Sequence, residues 1–318
     1  MPTQSPRRPL LHRFLAPLLL GILFLAVALP LHAARIEAYR VMREPVADRS
    51  GRALWAIRGF TEDGVEHRLA VDPATFATYD LPAALLVPRR DAIPFETTRL
   101  GRAVARYTAP PYRLQNGGAT RAETGVDGVF LTVDLCPSRR PFERAMFDAA
   151  AALGQGAPVP VAVSVSGVWL AAHPEEVAYL KGEAAAGRLA ITWVNHSWHH
   201  HYDPKAPLDA NFVLAPGTDF LSEVLHLEEQ LIGEGLVPSP FFRFPGLVSD
   251  RAVMKRLAEL SLVPIGADAW LAKGEEPRRG SFILVHGNGN EPKGIRLLMP
   301  LLREKRVQLL PIAGAFSE

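Results

Sequence analysis

Asn195-His196-Ser197-Trp198-His199-His200, directly after the apolar run Leu189-Ala190-Ile191-Thr192-Trp193-Val194, is the stretch that decides how this chain is read. The apolar run is short and bounded by polar residues, which marks a buried strand. His196 and His200 stand four residues apart just past its end, so both imidazoles can turn to one side and grip a divalent ion. Enzymes of the α/β class carry their reactive groups where a strand gives way to a loop. A lone H-x-x-x-H pair is common in ordinary surfaces and cores. The weight of this one comes from the other strand ends.

From residue 128 onward, short apolar runs recur at 129–133, 159–165, 189–194, 241–244, 262–266, 282–285 and 307–312. Helix-like segments lie between many of them, at 142–153, 174–185, 219–233, 250–260 and 293–305. Pro174 with Glu175 and Glu176 behind it, and Ser249-Asp250, are plausible helix starts. Strands alternating with helices predict an α/β fold with a parallel sheet and right-handed crossovers. Seven strands of continuous apolar character, covered on both faces, predict a closed or nearly closed barrel.

The strand ends carry the chemistry. The first run ends in Thr132-Val133-Asp134-Leu135-Cys136-Pro137, the second in Ser164-Val165-Ser166-Gly167 and the third in the histidine stretch. The fourth gives Arg243-Phe244-Pro245-Gly246, the fifth Ala267-Asp268-Ala269-Trp270 and the sixth Val285-His286-Gly287. If the barrel closes, Asp134, His196, His200, Arg243, Asp268 and His286 meet at one rim, which solvated surface does not explain.

On these residues, the region from about 128 to 313 resembles the NodB-type polysaccharide deacetylase domain of carbohydrate esterase family 4. The family's T-F-D-D-G-P, H-[ST]-x-x-H, R-x-P-[YG], Asp/Trp and Leu-x-His motifs have counterparts in the same order. They are Thr132 to Pro137, His196 to His200, Arg243 to Gly246, Asp268-Ala269-Trp270 and Leu284-Val285-His286. The resemblance implies a distorted (β/α)7 barrel that removes N- or O-acetyl groups from a polysaccharide or oligosaccharide with a divalent metal, zinc being the expected ion. It makes Asp134 the general base, His196 and His200 metal ligands, and Arg243 the residue that orients Asp134. His286 becomes the general acid, with Asp268 as the partner that keeps it protonated. Trp270 and Pro245 belong to the substrate pocket. Zinc suits such chemistry, because it brings bound water to a pKa of about 7 and polarises the carbonyl under attack.

One departure matters. The family's second aspartate is the third protein ligand, and here that position is Leu135, which offers no donor atom. In one reading another residue completes the site: Asp134, Cys136, His199, His201 or Asp203. In a second, the domain holds a glycan or a partner protein without turnover. In a third, the chemistry has moved to another acyl or amide bond, or to Cys136 as nucleophile. A thiolate is a good zinc ligand, but alternation along an extended chain leaves open whether Cys136 points with Asp134.

The N-terminal part differs. Residues 1–33 carry Arg7, Arg8 and Arg13 ahead of about 16 mostly apolar residues, so they are expected to be a signal peptide or membrane anchor, placing the remainder in the periplasm or outside the cell. Without them 32 basic residues (35 − 3) face 33 acidic ones, a net charge of −1, which gives no support for nucleic-acid binding. Membrane contact is expected only through that segment. Cys136 is the sole cysteine, which excludes an intrachain disulfide framework. Residues 34–120 are expected to form a small β-rich extension and linker, with strands at 53–60 and 65–71 joined through Thr61-Glu62-Asp63-Gly64.

Overall fold

A computed structural model describes residues 34–317, in two sheets; the expected leader lies outside this range. Among the described residues no helix is long and apolar enough to cross a membrane. The first sheet holds β1 (Ile36–Ala47), β2 (Ala53–Glu62), β3 (Val65–Val71), β4 (Thr78–Pro82) and β5 (Val87–Pro88), antiparallel in the order β4-β3-β2-β1-β5. The hairpin between β2 and β3 turns on Asp63 and Gly64 at φ of 46° and 84°. Two positive φ values in a two-residue loop match the right-handed twist of the flanking strands. Helix α1 (Arg99–Tyr107) follows, its start capped by Thr98, whose side chain accepts from the Gly101 N–H.

The second sheet begins at β6 (Phe130–Leu135). Then come α2 (Arg144–Ala151), β7 (Val159–Val165), α3 (Gly167–Ala172), α4 (Pro174–Ala185), β8 (Leu189–Asn195), α5 (Phe220–Gly233) and β9 (Pro238–Phe242). The chain ends with α6 (Arg251–Glu259), β10 (Val263–Pro264), β11 (Ala269–Trp270), β12 (Phe282–His286) and α7 (Pro292–Arg303). All pairings are parallel, in the order β10-β9-β8-β7-β6-β12-β11, and this curled seven-stranded sheet with its helices is the expected (β/α)7 barrel.

Two details differ from the sequence reading. The seventh strand is Ala269–Trp270 rather than 307–312, which makes a single parallel bridge, Val129 to Leu309. Pro311 lacks the N–H that further pairing needs. The barrel is also open: β10 and β11 are close in the chain but share no ladder. The segment before β6 lies along that seam. Asn116 accepts from Ala267 N at 2.9 Å and donates to Ala267 O at 2.6 Å, and Ala119 bridges Ile265. Gly118, at φ +90°, lets this segment approach, since a Cβ there would stand 2.4 Å from the Pro264 carbonyl oxygen.

Alternation along the strands sorts the core. Leu131, Val133 and Leu135 of β6, with Ile283 and Val285 of β12, pack against Phe147 of α2, Trp169 of α3 and Leu298 of α7. Phe130, Phe282, Leu284 and Phe241 point inward instead, in one cluster with Phe60 and Leu69 of the antiparallel sheet and Leu100 of α1. Phe76, Phe241 and Phe316 form an aromatic triangle with ring centroids 5.5–5.8 Å apart, filling the barrel below the strand ends. A second tie is ionic. Arg58 of β2, fully buried, holds Glu228 of α5 by two bonds of 2.6 and 3.0 Å and caps the Leu260 carbonyl at 2.9 Å.

Removing one partner of that buried pair strands a charge in the interior. Glu228→Ala is expected to cost about 3–5 kcal/mol of unfolding free energy, the usual result of breaking a buried pair. Urea denaturation followed by circular dichroism measures it, and a loss below about 1 kcal/mol, the scale of an exposed pair, would mean that the contact holds little.

Candidate functional site

Asp134, His196, Arg243 and His286 come from the C-terminal ends of β6, β8, β9 and β12 and meet above the aromatic floor. The inward side of β6 presents Thr132 and Asp134, and the register pairs Asp134 with His286 across the sheet. Asp134 is 3% exposed; its Oδ2 lies 3.7 Å from Arg243 Nη1 and 3.8 Å from His196 Nε2, and its Oδ1 is buried without a hydrogen-bond partner. Arg243 is wholly buried and is located by Thr132, whose Oγ1 accepts from Nη2 at 2.8 Å and donates to the Ile283 carbonyl at 2.6 Å. Burial pulls the guanidinium below its ordinary value, and the Asp134 charge opposes that pull.

The histidine stretch leaves β8 through a turn set by Asn195. Its Oδ1 accepts from Ser197 N at 3.0 Å and its Nδ2 donates to the Val224 carbonyl of α5 at 2.9 Å. Ser197 and His200 then take left-handed φ values of 62° and 50°. Such conformations cost of order 1–3 kcal/mol each and persist where the surroundings impose them. Here they bring the two imidazoles to 4.8 Å between ring centroids. His196 Nδ1 donates to the Arg243 carbonyl at 2.7 Å, which leaves the Nε2 lone pair facing the cavity. His200 Nε2 is buried and without a partner.

Cys136 follows β6 on the same side as Asp134. Its Sγ lies 3.5 Å from His196 Nε2, and the ligand atoms of Cys136, His196 and His200 all fall within 4.8 Å of one another. Burial pushes the thiol up, but His200, His286 and His196 together outweigh it and hold it well below the ordinary thiol range. Leu135, between Asp134 and Cys136, is fully buried in the helix-facing layer. His199 turns outward to Glu223, accepting none of the site's contacts, and its side chain is 68% exposed; His201 is exposed too. Asp203 accepts from Lys205 N within its own loop.

His286 does not meet Asp268. Asp268 accepts from Phe282 N at 3.0 Å and from Ser281 Oγ at 3.3 Å, at the start of β12, whereas His286 ends that strand. Because β11 pairs in parallel with Ile283 and Leu284, Asp268 is held several residues away from the rim. Glu291 takes the place expected for Asp268. Its Oε2 lies 2.8 Å from His286 Nδ1 and accepts from Trp270 Nε1 at 2.7 Å. At His286 burial disfavours the charged form, but Cys136, Glu291 and Asp134 raise its pKa well above the ordinary value. An acid five residues after a strand-end histidine, beyond the Gly287-Asn288-Gly289-Asn290 turn, was the available signal for Glu291.

These groups line a cavity of about 470 Å³. Asp134, Cys136, His196, His200, His286 and Glu291 form its polar side. Trp270, Tyr202, Leu208, Phe212 and Leu247 form the apolar side, while Pro245 starts a buried turn and contributes its neighbour Gly246 instead. A Cβ on Gly246 would meet the Phe212 ring at 2.3 Å, so glycine lets that ring close the wall. A His, His, Cys donor set whose ligand atoms lie within 4.8 Å of one another, with His200 Nε2 buried and unpartnered, fits a divalent metal ion.

No protein-family model matches the chain. Similar solved structures include a family 4 carbohydrate esterase from Bacillus anthracis, at 18% identity and a TM-score of 0.46 over 62% of this chain and 86% of that one. A peptidoglycan N-acetylglucosamine deacetylase in complex with 4-naphthalen-1-yl-N-oxidanyl-benzamide is 17% identical, with a TM-score of 0.47 over 71% of this chain and 97% of that one. A family 4 pseudoenzyme from Bacillus anthracis is 14% identical, with a TM-score of 0.42 over 63% and 68%.

The Glu291 contact has a measurable consequence. Since the folded His286 value lies above the unfolded one, its protonation stabilises the metal-free fold fully below about pH 6.5. That contribution fades as the pH rises through the raised value. Glu291→Gln is expected to lower the His286 midpoint in a nuclear magnetic resonance titration of metal-free protein, and Asp268→Asn to leave it in place. A downward shift in Asp268→Asn alone would reverse the assignment.

Proposed function

We propose that this chain is a metal-dependent hydrolase that removes acetyl groups from an envelope or extracellular polysaccharide. The observation that carries this reading is the meeting of a buried carboxylate, two ligand-ready imidazoles and a carboxylate-backed imidazole on one rim, opposite an apolar wall. The resemblance of the strand-end motifs to the family 4 deacetylases supports the same conclusion. Location outside the cytoplasm rests on the sequence of residues 1–33.

Held by His196, His200 and one further donor, a divalent ion such as zinc supplies Lewis acidity and lowers the pKa of water to about 7. The chain's own residues do the rest. Asp134 is the base: Arg243 Nη1 stands 3.7 Å from its Oδ2, and its unpartnered Oδ1 is free to accept a proton from water. His286 is the acid, protonating the departing sugar nitrogen or oxygen, with the Glu291 carboxylate 2.8 Å from its Nδ1. The Trp270 indole, tied to Glu291 and covered by Lys273 Nζ at 3.7 Å from the ring centroid, gives a rigid surface for an acetyl methyl or a sugar face.

Leaving-group chemistry tests this directly. Zinc-loaded protein is assayed for acetate release from N-acetylglucosamine oligosaccharides and from p-nitrophenyl acetate, beside a His196→Ala/His200→Ala control. An amine leaves only once protonated, so His286→Ala is expected to lose about 10²–10⁴-fold on the amide. Nitrophenolate departs without help, so the same variant keeps most of its aryl-ester activity. Glu291→Gln follows the same split, with a smaller loss. Binding of the oligosaccharide with no acetate released from either substrate by the wild type would establish the glycan-binding reading instead.

A further inference from the structure

We infer that Cys136 is the third protein donor of the centre, so that the ion is closed by a thiolate where a carboxylate is expected; this deepens the metal reading above and rests on it. The sequence leaves the direction of Cys136 open, and the fold supplies it. Alternation through β6 sends Leu135 into the helix layer, fully buried, and returns the next residue to the Asp134 side. The loop at Cys136 is held by its neighbours. Asn288 Nδ2 donates to the Cys136 carbonyl at 2.6 Å, and Ser166 donates both N–H and Oγ–H to the Leu135 carbonyl, at 3.1 and 3.0 Å. The backbone that carries Sγ is therefore held in place by its neighbours.

The separations match a coordination polyhedron. Zinc bonds of about 2.3 Å to sulfur and 2.0–2.1 Å to nitrogen at tetrahedral angles put S and N about 3.6 Å apart. Cys136 Sγ and His196 Nε2 are 3.5 Å apart. The third donor atom, on His200, lies within 4.8 Å of both. His196 already has the outer hydrogen bond that metal-bound histidines need, from Nδ1 to the Arg243 carbonyl. Asp134 is the competing donor, but its nearer oxygen faces Arg243 at 3.7 Å and stands 3.8 Å from His196 Nε2. With sulfur as the third donor, Asp134 stays available as the base, and three protein donors leave a tetrahedral ion one open position. A soft thiolate also favours zinc or cobalt over magnesium or manganese.

Cobalt(II) reports both facts separately, because ligand-field bands in the visible show a bound ion and near-ultraviolet thiolate-to-cobalt charge transfer shows a bound sulfur. The full chain and its Cys136→Ser and Cys136→Asp variants are titrated with cobalt, then competed with zinc, with far-ultraviolet circular dichroism as the check on folding. The wild type is expected to show both absorptions. Both variants should lose the charge-transfer band, with Cys136→Asp retaining the ligand-field bands. Zinc should bind Cys136→Ser more weakly than wild type by more than the roughly 10–100-fold that loss of an outer-shell partner costs. Ligand-field bands without charge transfer in the wild type would overturn the sulfur assignment and leave the metal reading standing, with a Cys136 thiol merely hydrogen-bonded to His196. No cobalt bound to the wild type would overturn both. Unchanged zinc affinity in a folded Cys136→Ser variant would overturn the assignment as well.

Discussion

Arg243 is the group around which the polar half of this molecule is arranged. A guanidinium with no exposure to water is expensive unless its field is answered, and the chain sets the Asp134 carboxyl 3.7 Å from it. Its Nη2 is located by Thr132, and its carbonyl receives the His196 Nδ1–H. Its N–H bonds the Asn195 carbonyl at the end of the neighbouring strand. One residue thus faces the Asp134 carboxyl, sets the tautomer of an imidazole and ties together two strand ends. The pairing with Asp134 stops at 3.7 Å, short of a direct hydrogen bond. Asp134 Oδ1 is left without a hydrogen-bond partner.

The antiparallel sheet matters to the site through what it fixes beneath and behind it. Its apolar face and the Phe76–Phe241–Phe316 triangle fill the barrel from below, so the cavity has a floor that side chains cannot sink into. Arg58 reaches from the same sheet to Glu228 on α5, and α5 in turn accepts the Asn195 amide through Val224. The turn with two left-handed residues that brings His196 and His200 together is thereby braced from both sides. Strain of that kind survives only on a stiff support.

How much of this was legible in the sequence depended on range. Strand content, helix placement and the rim position of Asp134, His196, Arg243 and His286 followed from local pattern, because a period of two and a period near four are written in the residues themselves. The seventh strand was misplaced because the run at 307–312 has strand-like composition, while Ala269–Trp270 is too short to show a pattern at all. Asp268 was expected beside His286 for a similar reason: motif order gives neighbours along the chain, whereas parallel pairing set Asp268 level with the beginning of β12 and His286 at its end. Glu291 lies outside every motif and reaches the site only because the Gly287–Asn290 turn folds the chain back over the rim. Cys136 sat one residue beyond a strand, where alternation stops being a rule and becomes a matter of what the next turn does.

The charge balance of the cavity gives that last residue its meaning. Asp134, Cys136 and Glu291 share one rim, and Arg243 sets a permanent positive charge 3.7 Å from Asp134 Oδ2. Burial disfavours the charged forms of His286 and His200, but Cys136 beside them raises the pKa of both. Held by Cys136, His196 and His200 as we infer, a divalent ion would bring two positive charges to the same rim. It also makes protons on His200 and on the thiol unnecessary, because bound ligands must be deprotonated. His286 and Glu291 can then keep a proton between them for the leaving group. On the inference that Cys136 is a ligand, sulfur would supply, one residue later, the donor atom that Leu135 lacks.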